Sequence, residues 1–270
     1  MKHESLSVLS IGAHASHDIA FFDIKQRQLE FSVNVGHSID FAVVSTVSKV
    51  VVCGGAESGV IAVVSLTHGS VDQTSRAEEY RGMTDLTVSA DSIFIATPAS
   101  GVVIQSVTHG VVTGNLCDPA GPSVPRRLLV NSYNERQLIV GYRHGLIHVF
   151  DVIAETVIRS MSGHSGRINS LHLLPSGQLI SAGDDQCGII WSVDQESGDD
   201  FAGVSEMWTG SDQQGRESGE EVHGDASEPM VNYSATCYTV DSTRRLLYAG
   251  LRCGTVQIWN LETGDIQAQC

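Results

Sequence analysis

Two groups of residues have the types and spacing that enzyme chemistry uses. Asp184 and Asp185 offer a pair of carboxylates, as general acid–base catalysis needs, and His14 and His17 stand three residues apart like metal ligands. Adjacent carboxylates on a tight turn point apart, and only Asp18 joins the two histidines locally. We therefore expect no catalytic, metal-binding or cofactor-binding residues.

The elements that carry these residues repeat along the chain. The repeated unit is a glycine that opens a short apolar run. It begins at Gly59, Gly101, Gly145, Gly188 and Gly254, with spacings of 42, 44, 43 and 66 residues. Strand-like segments that recur at such a period are typical of a β-propeller, in which each repeat folds into one four-stranded blade. The sequence predicts an all-β fold.

The repeat from Gly163 to Trp208 is the most regular. INSLHLL, QLISAG and GIIWSV read as its first three strands, and Phe201 to Trp208 as its fourth. Its pattern GH…LISAGDDQCGIIW resembles a WD40 repeat. The resemblance implies that four side chains form a hydrogen-bonded tetrad, which holds the strands of this blade together and has a structural role: His164, Ser181, Asp185 and Trp191.

The other repeats are degraded copies of this pattern. His144 occupies the tetrad Asp position in the fourth blade, and Cys253 occupies it in the sixth. We expect a single WD40-type β-propeller domain over residues 1–270, with six recognisable four-stranded blades, in a six- or seven-bladed ring. The first blade lacks its innermost strand. Three explanations fit this missing strand. The sequence is truncated at one end, or the ring closes imperfectly, or a partner donates a strand to the incomplete blade.

Composition narrows the classes of partner. The net charge of −15 comes from 16 basic and 31 acidic residues, whereas non-specific nucleic-acid binding needs a basic surface. No apolar run approaches the length of a membrane span. Six cysteines without paired spacing predict reduced thiols. We expect a cytoplasmic or nuclear protein that binds neither nucleic acid nor membrane and uses no cofactor.

The spacing of 66 residues reflects an acidic insertion. Residues 194–229 hold eleven carboxylates and one arginine, a net charge of −10 out of the total of −15. Residues 209–229 read as a flexible acidic loop between the fifth and sixth blades. The loop is either a solvated surface segment or an arm that attracts a basic partner. In the second case the candidate partner-binding residues are Glu217, Glu220 and Glu221.

Three further residues are candidate partner contacts. Arg143 and His144 fall in the turn between the second and third strands of the fourth blade, and Arg252 falls in the same turn of the sixth. They are either turn residues exposed to water or contacts that recognise an acidic or phosphorylated peptide.

Three functions fit the sequence. The resemblance to the WD40 family implies a non-enzymatic scaffold that binds one or more proteins or peptides within a multiprotein assembly. An alternative is a reader of basic peptides or tails through the acidic loop. A third is a propeller enzyme, for which the inner strands offer mainly His172 and Cys237.

Overall fold

A computed structural model describes residues 7–11, 17–23, 27–185, 187–191, 204–209, 235–241, 243–251, 253–261 and 266–270. These residues form 23 β-strands and a single 3-10 helix, Glu78–Tyr80, and the described part of the chain contains no α-helix. The prediction of an all-β fold is confirmed.

The first three sheets use strands β1 to β11, and every neighbouring pair of strands is consecutive in the chain. The first sheet contains β1 (Ser7–Ile11), β2 (Asp18–Asp23) and β3 (Gln28–Asn34). The second contains β4 (Phe41–Ser45), β5 (Val50–Gly55), β6 (Val60–Ser65) and β7 (Val71–Arg76). The third contains β8 (Asp85–Val88), β9 (Ser92–Thr97), β10 (Gly101–Ser106) and β11 (Val112–Leu116).

The last three sheets repeat this order with β12 to β23. The fourth contains β12 (Pro125–Val130), β13 (Gln137–Tyr142), β14 (Leu146–Asp151) and β15 (Thr156–Ser162). The fifth contains β16 (Ile168–Leu173), β17 (Leu179–Gly183), β18 (Cys187–Trp191) and β19 (Val204–Thr209). The sixth contains β20 (Ala235–Asp241), β21 (Leu246–Leu251), β22 (Val256–Asn260) and β23 (Ile266–Gln269).

The six predicted blades are therefore present, and the first has three strands among the described residues. The fourth strand of the fifth blade is β19, which pairs with β18 from Cys187 opposite Thr209 to Trp191 opposite Val204. Most of the predicted acidic loop lies outside the described residues.

The chain divides into two compact units. The first comprises Met1–Val130, Glu135–Leu138 and Phe150–Thr156 and holds the first three sheets. The second comprises Asn131–Asn134, Ile139–Val149 and Val157–Cys270 and holds the fifth and sixth sheets. Strands of the fourth sheet contribute residues to both ranges.

Burial explains why the strands differ in sequence. In the second sheet the two middle strands, β5 and β6, are buried along their whole length, and half of their residues are valine. The outer strand β7 alternates between half-buried and exposed residues and is polar. Strands covered on both faces need continuous apolar side chains, whereas an outer strand needs them on one face only.

Antiparallel pairing gives each four-stranded sheet two ends. In the fifth sheet the connection Gly163–Arg167 and the turn between β17 and β18 share one end, which we call the connection end. The turn Leu174–Gln178 between β16 and β17 lies at the opposite end, which we call the turn end. The same names apply to the corresponding ends of the other sheets.

Candidate functional site

The four residues of the predicted tetrad lie in one chain of hydrogen bonds in the fifth sheet, which runs from His164 and Asp185 at the connection end through Ser181 on β17 to Trp191 on β18. His164 Nδ1 is 2.9 Å from Oδ2 of Asp185, and its Nε2 is 2.7 Å from Ser181 Oγ. Trp191 Nε1 donates to the same Ser181 oxygen at 2.7 Å. A carboxylate only accepts hydrogen bonds, so Nδ1 of His164 donates to Asp185. The imidazole and the indole both find their polar partners inside the sheet.

Asp185 also fixes the backbone around the tetrad. Its carboxylate accepts hydrogen bonds from the N–H groups of Ser165, at 2.8 Å, and Cys187, at 3.1 Å. Burial raises the pKa of Asp185, but the hydrogen bonds from His164 and from these two N–H groups outweigh it and hold the pKa below its usual value. The connection and the turn are therefore tied to one ionised side chain.

Two glycines make room for this arrangement. A Cβ on Gly183 would lie 2.7 Å from Asp185 Oδ1 and 2.8 Å from His164 Nδ1. A Cβ on Gly163 would lie 2.8 Å from the indole ring of Trp191. All three distances are shorter than real Cβ contacts allow, so any other residue would displace the imidazole or the indole.

Asp184 and Asp185 face different partners. Asp184 forms an ion pair with Arg167 and accepts a hydrogen bond from Asn169 Nδ2 at 2.5 Å, while Asp185 binds His164. The two carboxylates do not face a common site, and this arrangement does not supply the acid–base pair that their adjacency in sequence suggested.

Arg143 and His144 are exposed in the turn between β13 and β14. The His144 ring lies 5.7 Å from the ring of Tyr142, which is buried. Within the described residues, no carboxylate forms an ion pair with Arg143. A guanidinium and an imidazole are thus presented to solvent side by side.

This turn packs on the connection that carries the tetrad histidine. Gly145 has a φ of +89°, and a Cβ built on it would lie 2.2 Å from the carbonyl oxygen of His164 and 2.9 Å from that of Gly166. Only a glycine allows so close an approach. The structure thus brings Arg143 and His144 next to the tetrad.

Comparisons with known proteins agree with this geometry. The family model described as "WD domain, G-beta repeat" matches residues 155–192. The β-propeller domain of Cps50 (Swd1) from Myceliophteria thermophila has a TM-score of 0.76 at 14% identity, with 97% of this chain and 82% of that chain covered. This chain is a β-propeller with a WD40 repeat.

A designed protein is also similar to this chain in structure. The computationally designed Ika8 protein has a TM-score of 0.68 at 16% identity, with 100% of this chain and 72% of that chain covered. No curated protein matches the chain in sequence. Because 1705 chains of solved structures match it, the structural likeness identifies a widely used fold and, by itself, no function.

Four of the predicted partner-binding residues lie outside the described residues: Arg252, Glu217, Glu220 and Glu221. The turn that contains Arg252 is described from Cys253 onward. Cys253 is exposed, and its Sγ is 3.1 Å from Thr255 Oγ1. Hydrogen bonds with Thr255 lower the pKa of the Cys253 thiol, which occupies the position of the tetrad Asp in this sheet.

His37 is a buried polar residue that sequence reasoning missed. It lies in the connection to the second sheet, with Nδ1 2.7 Å from the carbonyl oxygen of Ser38. Its Nε2 has no hydrogen-bond partner among the described residues. A Cβ on Gly55 would lie 3.0 Å from His37 Nδ1, as one on Gly183 would lie 2.8 Å from His164 Nδ1. The Gly36-His37 dipeptide, which repeats Gly163-His164, was the available signal.

The remaining reactive side chains are candidates for metal ligands or catalytic groups. Among the described residues, no group of three His, Cys, Asp or Glu side chains is placed to hold a metal ion. Burial lowers the pKa of His172 on β16, whereas Cys237 on β20 is exposed. In the described part of the chain, no helix has the length and apolar character needed to cross a membrane.

Proposed function

We propose that this chain is a non-enzymatic protein-interaction scaffold, with one docking surface at the connection end of the fourth and fifth sheets. The observation that carries the proposal is the packing of Gly145 on the His164 connection. This packing holds the turn against backbone that the tetrad fixes, and Arg143 and His144 on the turn are exposed to solvent. Fixed polar groups at the ends of strands are the usual means by which a propeller binds a partner, because specificity lies in loops on a stable framework.

The exposed groups favour an acidic or phosphorylated peptide as the partner. Arg143 offers a planar fork of N–H donors that matches a carboxylate or a phosphate, and His144 adds a second donor beside it. Asp184 is engaged by Arg167 and Asn169, and Asp185 by the tetrad. Because these two carboxylates already have partners, they repel an anionic peptide less strongly than two unpaired carboxylates would.

The test compares partners captured by three purified forms of the chain. The intact protein, an R143E/H144A variant and an R27E control, which alters an exposed arginine in another turn, are incubated with extract, and bound proteins are identified by mass spectrometry. We expect partners that bind the intact chain and the control and fall at least tenfold with the double variant. Equal recovery with all three forms would exclude Arg143 and His144 as contacts.

The acidic segment supports a second candidate function, the reading of basic tails. Residues 194–229 carry a charge of −10, and such a segment attracts lysine- and arginine-rich peptides at long range. Binding of a histone-like lysine peptide should weaken steeply with salt and disappear on deletion of residues 210–228. Binding that survives both changes would rule this function out.

We also propose a cytoplasmic or nuclear location, and strand addition as a further mode of assembly. The described cysteines are free thiols, as a reducing compartment maintains.

In the first sheet, β1 pairs with β2 alone among the described strands. An extended segment of a partner that pairs with β1 would complete a four-stranded blade.

A further inference from the structure

Ser165 presents a hydroxyl group to solvent at the connection end of the fifth sheet. The residue is exposed, and its Oγ forms no hydrogen bond within the described part of the chain. Its backbone is fixed, because its N–H donates to the tetrad carboxylate of Asp185 at 2.8 Å. A polar group that is held in place and has no partner of its own can bind a ligand at little cost in conformational entropy.

This hydroxyl lies close to the turn that carries Arg143 and His144. Gly145 packs on the carbonyl oxygen of His164, the residue directly before Ser165. Because successive Cα atoms are about 3.8 Å apart, the Cα atoms of His144 and Ser165 lie within about 10 Å of each other. A guanidinium, an imidazole and a hydroxyl are therefore exposed on one small area of the surface.

These three side chains offer more hydrogen-bond donors than a carboxylate needs. The planar fork of one arginine binds both oxygens of a carboxylate by itself. A phosphate monoester carries a third terminal oxygen and a charge of roughly −1.5 to −2, so it needs further donors. The ring N–H of His144 and the hydroxyl of Ser165 can supply them. The set of groups thus matches a phosphate better than a carboxylate.

The two described carboxylates at this sheet end do not compete for Arg143. Asp184 forms an ion pair with Arg167. The side chain of Asp185 is 7% exposed and accepts its hydrogen bond from His164 inside the sheet. Both carboxylates are occupied by partners within the chain, which leaves the Arg143 guanidinium to a ligand.

We propose that the surface around Arg143 binds a phosphorylated serine or threonine of a partner protein, an inference that rests on the docking surface proposed above. Arg143 binds two phosphate oxygens, and His144 and Ser165 donate to the third. Ser165 is then the residue that distinguishes a phosphate from a carboxylate. Phosphorylation of the partner would decide when it binds.

The test compares methyl phosphate and acetate, which present the two anionic groups without a peptide. Each is titrated into the full chain at about pH 7.5, where a phosphate monoester is mainly a dianion. Salt at about 0.15 M screens exposed charges that lie more than roughly 8 Å away. The amide resonances of His144 and Ser165 are followed by NMR. We expect methyl phosphate to shift both resonances and to bind at least tenfold more tightly than acetate.

Two serine variants isolate the contribution of Ser165. Ser165→Ala should weaken the binding of methyl phosphate at least fivefold and change that of acetate by less than twofold, as measured on the His144 resonance. Ser132→Ala alters an exposed serine at the turn end of the fourth sheet and should change neither affinity. Because both hydroxyls are exposed, the thermal midpoints of the variants should match that of the intact chain.

Three results would overturn the proposal: no shift of either resonance with methyl phosphate, equal affinity for the two probes, or an equal loss for both probes in Ser165→Ala. Each of these results concerns the choice of ligand. The docking surface itself stands or falls separately, on the capture of partners by the R143E/H144A variant.

Discussion

Ser181 is the centre of the tetrad, because its single hydroxyl oxygen lies 2.7 Å from both His164 Nε2 and Trp191 Nε1. Both rings are buried, and each would be left with an unsatisfied polar atom without it. A buried donor or acceptor that loses its partner costs roughly 1–3 kcal/mol. The tetrad is therefore a unit whose members depend on one another.

Replacement of Trp191 by alanine tests the packing part of this unit. Trp191 is 1% exposed, so the variant leaves a large cavity and should lower the free energy of unfolding by roughly 3–5 kcal/mol. Urea unfolding followed by circular dichroism measures the loss. Leu29→Ala, at a position that is 54% exposed, serves as the control and should change stability by much less. An unchanged midpoint for the Trp191 variant would show that this residue is not part of the core.

Replacement of Asp185 by asparagine tests the charge. The pKa of Asp185 is lowered in the folded protein, so its contribution is present above the ordinary Asp pKa and is lost as the pH falls through the lower folded value. At pH 7 the variant should be less stable by roughly 1.5–3 kcal/mol, as expected for hydrogen bonds to a charged group. Urea midpoints measured from pH 7 to pH 2 should fall less steeply for the variant. Parallel curves would show that Asp185 titrates alike in the folded and unfolded chains.

The unpaired Nε2 of His37 leads to a third prediction. Cys53 stands two residues before Gly55, as Ser181 stands two before Gly183, and its thiol is fully buried with a pKa raised to about 12. A serine at position 53 would supply the hydroxyl that His37 lacks. We expect Cys53→Ser to be more stable than Cys53→Ala by roughly 0.5–1.5 kcal/mol in thermal and urea unfolding. If serine were the less stable of the two, no hydrogen bond to His37 forms.

How far these residues can be predicted from sequence depends on how complete the repeat is. The order and spacing of GH…S…D…W named all four tetrad members, since that repeat retains every one. His37 was missed because the second repeat has kept its Gly-His and lost the partners.

At the scale of the elements, strand interiors were easier to predict than their ends. The predicted strand QLISAG is β17, Leu179–Gly183, except for its first residue, because a buried run defines a strand from its own composition. The fourth strand of the fifth sheet was predicted to end at Trp208, whereas β19 extends to Thr209. Its outer position leaves its ends to be set by pairing with β18, which a single sequence does not reveal.

Two turns carry a matched pair of glycines, Gly145 between β13 and β14 and Gly177 between β16 and β17. Gly145 and Gly177 both have positive φ angles, +89° and +82°, but only Gly145 has backbone atoms within 4 Å of a built Cβ. Gly177→Ala should therefore cost roughly 1–2 kcal/mol of strain, and Gly145→Ala roughly 2–5 kcal/mol because it also displaces the His164 connection. Urea unfolding separates the two. Equal losses would mean that the turn and the connection do not pack together.

At the scale of the whole molecule, the net negative charge is concentrated in the sequence on either side of β19. The connection between β19 and β20 spans residues 210–234, and most of the acidic excess lies there and in the residues just before β19. We therefore expect the acidic segment and the strands to be separable parts of one chain.

Deletion of residues 210–228 tests this separation. The sequence predicts a flexible loop here, and shortening such a loop changes its closure entropy only slowly, so the deletion should raise stability by no more than roughly 1 kcal/mol. Differential scanning calorimetry of the intact and shortened chains provides the measurement. A fall of several kcal/mol would instead mean that the segment packs against the folded part.

The contrast between the second and fifth sheets has a consequence on cooling. The middle strands of the second sheet are buried over their full length and are rich in valine. The free energy of apolar burial is largely entropic near room temperature and weakens as the temperature falls. The fifth sheet adds hydrogen bonds around Ser181, whose strength does not follow that trend. On cooling towards freezing, we therefore expect the second sheet to lose stability before the fifth.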